Sequence, residues 1–419
     1  MKDVFVIGIG MTRFARHLDR SIKSLAKEAL DKTLADASIG KEKIEAIYFS
    51  NSNWGYQSDQ HCIRGQVALR PEGMMGIPIY NLENACAGGA TAFHSAWLGV
   101  ASGLYECVLA LGAEKMYEED KVKMFRAFWT AIDIENMEAH MKALQDVSRN
   151  IKLNMPVDDE GEGAGRNRSA FMDVYSAFTR YHMNRYGTTQ HHLAVIASKN
   201  HYHGSMNPNA QFQKEMRVEE ILAARPVSWP LTVPMCAPVG DGGAAAVLCS
   251  AEFLKKLNFP RPVRIRASVL GSGTDRAIEE DARDIACRVS LKAYEMAGVG
   301  PEDIDVAEVH DATAYGELHQ SEALGFCPIG DGGPFAESGA TKLGGKIPIN
   351  ISGGLESRGH PIGASGLGQI HELVTQLRHE AGPRQVEGCK LALAENGGGN
   401  LSFEEAAMGI HILERVRSS

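Results

Sequence analysis

The sequence predicts an α/β fold in which one unit occurs twice, with a long segment inserted into the first copy. Three observations carry this prediction. Short matches recur at a constant offset, helical and apolar-run patterns alternate inside each copy, and a stretch rich in Met, Arg and aromatics belongs to neither.

The first match pairs ADASIGKEKIEAI at 35–47 with EMAGVGPEDIDVA at 295–307, setting Ala37 against Ala297, Gly40 against Gly300, Glu42 against Glu302 and Ile44 against Ile304, an offset of 260 residues. Each segment follows a helical pattern (SLAKEALDKTLADA; ACRVSLKAYEMA) and runs through a turn into an apolar strand. The second match pairs IPIYN at 77–81 with IPINI at 347–351. Each leads through small residues to a helix, GGATAFHSAWLGVASG or GASGLGQIHELVTQLR, and then to an apolar run, CVLALGAE at 107–114 or CKLALAE at 389–395. Two matches in one order, with the same flanking elements, indicate duplication. The pattern implies two layered sheets whose first helices pack together. The predicted boundaries are 1–114 for the first half, 115–235 for an inserted loop domain, 236–260 for strands closing the first half, and 261–419 for the second half. Within the insertion, the Gly-rich residues 156–168 read as a mobile loop.

Composition narrows the function classes. With 419 residues, 44% hydrophobic and 23% charged, the chain has the profile of a soluble globular enzyme. A net charge of −9 without a basic tract argues against nucleic acid as the main ligand, though local Arg and Lys residues can still hold a polyanionic small molecule. No apolar run reaches the length of a membrane span or a signal peptide, and the final Arg-Ser-Ser is not a peroxisomal address. The eight cysteines (62, 86, 107, 236, 249, 287, 327 and 389) show no CxxC pair, so reduced thiols in a cytoplasm are the simplest expectation. His191-His192 and His201–His203 lack metal-site spacing and acidic company, and no metal is expected.

Four positions carry the chemistry. Cys86, in NLENACAGGATAF, follows an apolar strand and opens a small-residue helix, where the helix dipole is expected to draw the thiol pKa toward neutrality. His360, in SGGLESRGHPIGASG, occupies the matching place in the second copy and is suited to take the thiol proton. His310, in DVAEVHDATAYGEL, ends an apolar run and can hold a thioester oxygen or a water; Asp311 reads as a loop or cap residue. Glu395 opens ENGGG at the last strand of the second copy. It can serve as acid or base if burial raises its pKa, while the glycines free backbone N–H groups for an oxyanion. PVGDGGAAAVL reads as a tight turn into a buried strand, and GIG near the start is no dinucleotide fingerprint. Phe125, Phe128, Trp129, Phe171, Tyr175, Phe178 and Tyr181 gather in the insertion with Arg166, Arg168 and Arg180. They form either loop-domain core or a roomy acyl pocket whose arginines bind phosphates or a carboxylate.

These motifs resemble those of the thiolase superfamily, most of all its sterol-carrier-protein-type branch: VFVIGIGMTRF, NACAGGATAF, ECVLALGAEKM, CAPVGDGGAAAVL, IDVAEVHDA, EALGFCP, GGLESRGHPIGASG and ENGGG. The resemblance spans nearly the whole chain. It implies a five-layered αβαβα core with a loop domain, and a homodimer or tetramer. Some members of the branch resemble subunits that work with a small zinc-ribbon/OB-fold partner. No cofactor is expected to be tightly bound; coenzyme A is the expected substrate. The resemblance implies that Cys86 accepts the acyl group, His360 activates it and His310 holds a thioester oxygen. The N–H groups of Cys86 and Gly397, beside Asn396, are the implied second oxyanion hole, and Arg166 and Arg168 are candidate CoA contacts. The second cysteine usual in the family is absent, its places being Ala312 and Glu395, which leaves Glu395 as the candidate proton carrier. The expected reaction is cleavage or formation of 3-oxoacyl-CoA thioesters, degradative and with a bulky, branched or aryl acyl group such as benzoylsuccinyl. The rival expectations are a thiolase-fold retro-aldolase and a non-catalytic acyl-CoA- or lipid-binding subunit.

Overall fold

A computed structural model describes residues 1–149, 168–257, 259 and 261–416. Arg166 and most of the Gly-rich loop therefore lie outside the described residues.

Nine strands form the main sheet: β1 (Val4–Met11), β2 (Ala46–Ser50), β3 (Ile79–Leu82), β4 (Cys107–Glu114), β5 (Gly242–Ser250), β6 (Val263–Ser272), β7 (Val306–Glu308), β8 (Leu391–Gly398) and β9 (Ala407–Arg415). Their order is β3-β2-β4-β5-β1-β6-β9-β8-β7. The two halves mirror one another. In the first, β1, β5 and β4 are antiparallel neighbours and β4, β2 and β3 run parallel. In the second, β6, β9 and β8 are antiparallel and β8 and β7 parallel. A bridge from Ala307 to Ile349 stands where β2 pairs with β3, so the IPIYN and IPINI segments do occupy equivalent places. The expected pair of separate sheets is corrected in one respect: hydrogen bonding continues across β1 and β6, through Phe5–Arg264 and Val6–Val263.

The helices explain the layering. Helix α1 (Ile22–Ala37) is capped by the Ser21 hydroxyl, and buries Leu25, Ala26, Ala29, Leu30 and Thr33 at helical spacing. Its counterpart in the second half, α6 (Ile285–Ala297), is capped by Asp284 and stopped by Gly298 at φ 67°. Helix α1 packs on β1, β4 and β5, and α6 on β6 and β9. These first helices are the outer layers and do not meet, contrary to expectation. The pair in contact is α2 (Gly88–Ala101) and α8 (Ile362–Leu377), each touching strands of both half-sheets. Glycine decides this: a Cβ on Gly89 would stand 2.9 Å from the Gly366 nitrogen, and one on Gly366 2.6 Å from that of Ala90. The sequence α1, half-sheet, α2 with α8, half-sheet, α6 is a five-layered α/β core.

Helices α3 (Met137–Arg149), α4 (Phe171–Tyr186) and α5 (Gln190–Ser205) come from the insertion, and α7 (Ala314–Ala323) follows β7. Helix α5 packs on α7 through Leu193, Ala194 and Ala197 against Ala314 and Leu318, which joins the insertion to the second half. No helix among the described residues is long and apolar enough to cross a membrane.

Candidate active site

The N-termini of α2 and α8 bring the two predicted residues together. Cys86 follows Ala85, which holds φ at 47°, and precedes the first turn of α2; its turn is closed by Ala87 N–H donating to the Asn84 carbonyl at 2.9 Å. His360 follows Gly359 at φ 105°, a conformation other residues rarely hold, and stands just before α8. Cys86 Sγ and His360 Nε2 are 3.3 Å apart.

Ser365, one turn into α8, fixes the imidazole. Its hydroxyl donates to the Pro361 carbonyl at 2.9 Å, so its oxygen is left to accept from His360 Nδ1 at 2.7 Å. The proton is then on Nδ1 and the lone pair of Nε2 faces the thiol. The sequence alone did not single out Ser365. The signal was its place, one helical turn after a His-Pro pair.

Electrostatics correct the expected thiolate. Burial is the largest influence and pushes the Cys86 thiol up to about 12, helped by the Glu83 carboxylate and opposed by the N–H of Gly399. Burial also drives His360 well below its usual value, with His310 and Arg358 adding to the effect. The resting pair is a neutral thiol and a neutral imidazole. His360 is thus placed to accept the proton as the sulfur attacks, not before.

His310 completes the group. Its ring stands 5.3 Å from that of His360, nearly perpendicular at 74°. The Asn396 amide donates to His310 Nδ1 at 3.2 Å, which leaves Nε2 as an N–H donor. Burial, reinforced by Arg358, lowers His310 to about 3, so this donor is uncharged. The sulfur and the two imidazoles offer donor atoms within 4.8 Å of one another, the spacing of a three-donor metal set. A metal needs a lone pair where His310 presents an N–H, so the arrangement is better suited to binding an oxygen.

The last strand redistributes the remaining expectations. Gly398 and Gly399, not Gly397, line the cavity beside Cys86, and the Gly399 N–H reaches the sulfur. Gly397 lies inside the ladder opposite Met408. A Cβ on Gly398 would sit 2.2 Å from the Ala87 nitrogen and 2.7 Å from that of Cys86, so only glycine fits there. Asn396 contributes its side chain, through His310. Glu395 is corrected: it does not line the cavity. Alternation along β8 turns it away from Asn396, and its carboxyl accepts from the His310 backbone N–H at 2.8 Å. Burial, with Glu405 nearby, raises its pKa well above the carboxylate range.

The cavity over Cys86, His310 and His360 has a volume of about 350 Å³. Phe125, Phe128, Phe171 and Tyr175 line it; Phe178 and Tyr181 line a second cavity behind it, and Trp129 lines neither. Arg168 is at the wall with its Nε donating to Asp173 at 2.9 Å, while Arg180 is buried against Ser176 and lines neither cavity. Three cations the sequence did not single out also border it: Arg16, Lys121 and Arg225, all exposed and without an ion pair among the described residues.

Comparison with known proteins shows the family. Residues 4–222 match the family model "Thiolase, N-terminal domain", and residues 277–414 match "Thiolase C-terminal domain-like". The chain belongs to the thiolase family. It is 38% identical over 410 residues to sterol carrier protein 2 of Oryctolagus cuniculus, covering 94% of this chain and 70% of that one. It is 36% identical to acetyl-CoA acetyltransferase of Methanothermobacter thermautotrophicus over 420 residues, covering 99% and 100%. It is 33% identical to the benzoylsuccinyl-CoA thiolase subunit BbsB of Thauera aromatica over 391 residues, covering 92% of each. Among solved structures, the Ltp2-ChsH2(DUF35) aldolase has a TM-score of 0.77 at 24% identity, with 99% and 98% covered. Human mitochondrial 3-ketoacyl-CoA thiolase has a TM-score of 0.69 at 17% identity, with 99% of each covered. These two likenesses concern the thiolase fold.

Proposed function

We propose that this protein is an acyltransferase that cleaves or forms 3-oxoacyl-CoA thioesters through an acyl group on Cys86. The observation that carries the reading is the 3.3 Å approach of Cys86 Sγ to a His360 whose tautomer Ser365 sets. In the degradative direction, sulfur attacks the 3-oxo carbon while His360 Nε2 takes its proton. The developing oxyanion lies among His310, protonated His360 and backbone N–H groups at the α2 terminus. Carbon–carbon cleavage leaves an acyl-enzyme and a CoA-linked enolate, and the thiol of free CoA then collects the acyl group.

Coenzyme A is the substrate carrier in this reading. Arg16, Lys121 and Arg225, none of them in an ion pair among the described residues, supply positive charge for its phosphates, and Arg168, paired with Asp173, stands at the same wall. Four aromatic residues suit a bulky or aryl acyl group, a choice also favoured by the likeness to BbsB. The uncovered edge of β3, where Tyr80 and Tyr105 stand exposed or partly so with their hydroxyls 3.0 Å apart, is a place for a second copy of the chain. The names of BbsB, a subunit, and of the Ltp2-ChsH2(DUF35) pair favour a small partner protein.

One observation favours a second reading, a retro-aldolase: no thiol stands at Ala312 or Glu395. Product analysis with a 3-oxoacyl-CoA and with a 3-hydroxyacyl-CoA separates the two. CoA-dependent release of a shortened acyl-CoA supports acyl transfer, and CoA-independent release of an aldehyde or ketone supports the lyase.

A further inference from the structure

With Glu395 outside the cavity, the proton at the substrate α-carbon has no assigned carrier. The cavity itself offers few candidates. Cys86, His310 and His360 are committed to attack and oxyanion binding. Glu118 pairs with Lys123 at 3.4 Å, and the Cys236 thiol faces the Thr232 carbonyl at 3.5 Å. Ser169 Oγ accepts from the Phe171 N–H at 3.3 Å, and the Tyr117 ring lies under Arg16, 5.1 Å from its guanidinium carbon.

Tyr175 differs from all of these. It sits in the second turn of α4 and its hydroxyl makes no hydrogen bond among the described residues. It borders both the Cys86 cavity and the second one, a position shared, among the described residues, only with Phe171 and Gly399. Burial above all, with Glu405, Cys86 and Glu395 adding to it, raises its pKa well above the usual phenol value, so the group rests protonated, as a proton donor. Glu405 lines the second cavity and approaches Gly397 from the face of β8 opposite to Asn396. Tyr175 is thus an unpartnered protic group at the boundary between the nucleophile's cavity and a cavity lined by Glu405 and His319.

We propose that Tyr175 carries the proton to and from the α-carbon of the CoA thioester, in place of the thiol missing at Ala312. The inference rests on the acyl-transfer reading above. When the carbon–carbon bond breaks, its electron pair passes to the α-carbon; the Tyr175 O–H bond breaks, a C–H bond forms, and a phenolate remains. Over the full cycle the proton lost by the incoming CoA thiol replaces the one Tyr175 gave up. In the condensing direction the same phenolate removes the α-proton.

The test compares the wild type with Tyr175→Phe, which keeps the ring and removes only the hydroxyl. Benzoyl-CoA and acetyl-CoA report acyl loading by intact mass, and exchange of the acetyl-CoA methyl protons in D₂O reports α-carbon chemistry by NMR. The expected result is a rate of exchange that falls on the order of 10²-fold or more relative to the rate of loading in the variant. Wild-type exchange in Tyr175→Phe, no exchange in a wild type that does load, or loss of loading together with exchange in the variant each overturns the proposal. Failure of the wild type to load either group overturns the acyl-transfer reading instead.

Discussion

Ser365 sets the chemistry of Cys86 without touching it: its hydroxyl, bound to the Pro361 carbonyl, turns the His360 lone pair onto the thiol. Ser365→Ala should release the ring to either tautomer. One such hydrogen bond corresponds to about 1–3 kcal/mol, so the acylation rate should fall roughly tenfold to hundredfold, with little change in KM. Stopped-flow acylation measures this directly; an unchanged rate would remove Ser365 from the account.

The neutral resting pair has a pH signature. Because the free thiol is pushed up to about 12, its thiolate fraction keeps rising through the alkaline range. Alkylation of Cys86 by iodoacetamide, followed by peptide mass spectrometry without substrate, should accelerate up to the highest pH at which the protein stays folded. A plateau near neutrality would show a resting ion pair.

Glu395 and Asn396 should behave oppositely. Glu395→Gln keeps an oxygen for the His310 N–H and lies outside the cavity, so both half-reactions should stay near wild-type rates. Asn396→Ala frees the His310 ring and should slow acylation with a smaller effect on thermal stability. Pre-steady-state rates and melting curves for the two variants distinguish the roles.

Stability should depend on pH through His319 and Asp284, whose side chains are 3.5 Å apart behind the site. Burial opposes the charge on His319, but Asp284 outweighs it and raises the imidazole to about 9. Burial likewise opposes ionisation of Asp284, yet His319 and Arg276 bring it to about 2. A raised histidine contributes fully below its unfolded pKa near 6.5 and loses that contribution as pH rises through 9; the lowered aspartate contributes above 3.8 and loses it as pH falls through 2. Denaturant titrations should show stability falling between about pH 7 and 10, and His319→Gln should flatten that fall.

Much of this was legible in the sequence because it rests on local pattern. The 260-residue offset survives as matching helices, turns and strands, and the Gly-rich frames of Cys86 and His360 survive as close contacts between α2 and α8. What escaped depends on direction in space. Glu395 and Asn396 are neighbours in sequence but point to opposite faces of β8, and nothing in ENGGG shows which face meets Cys86. Gly399, with φ at 68°, turns the chain so that its own N–H and not that of Gly397 faces the sulfur. The thiol's direction was misread because the helix dipole is visible in sequence, whereas the burial that outweighs it is not. Which first or second helices pack together likewise depends on where glycines from distant segments meet.

The central claim is that Cys86 becomes acylated with His360 as its base. Intact-mass measurement of the protein mixed with a 3-oxoacyl-CoA or benzoyl-CoA, quenched in acid within seconds, tests it most directly. The account predicts a mass increase of one acyl group, mapped to the Cys86 peptide, absent in Cys86→Ala and strongly slowed in His360→Ala. An equal acyl adduct in Cys86→Ala, or turnover of the substrate by that variant at the wild-type rate, would contradict it.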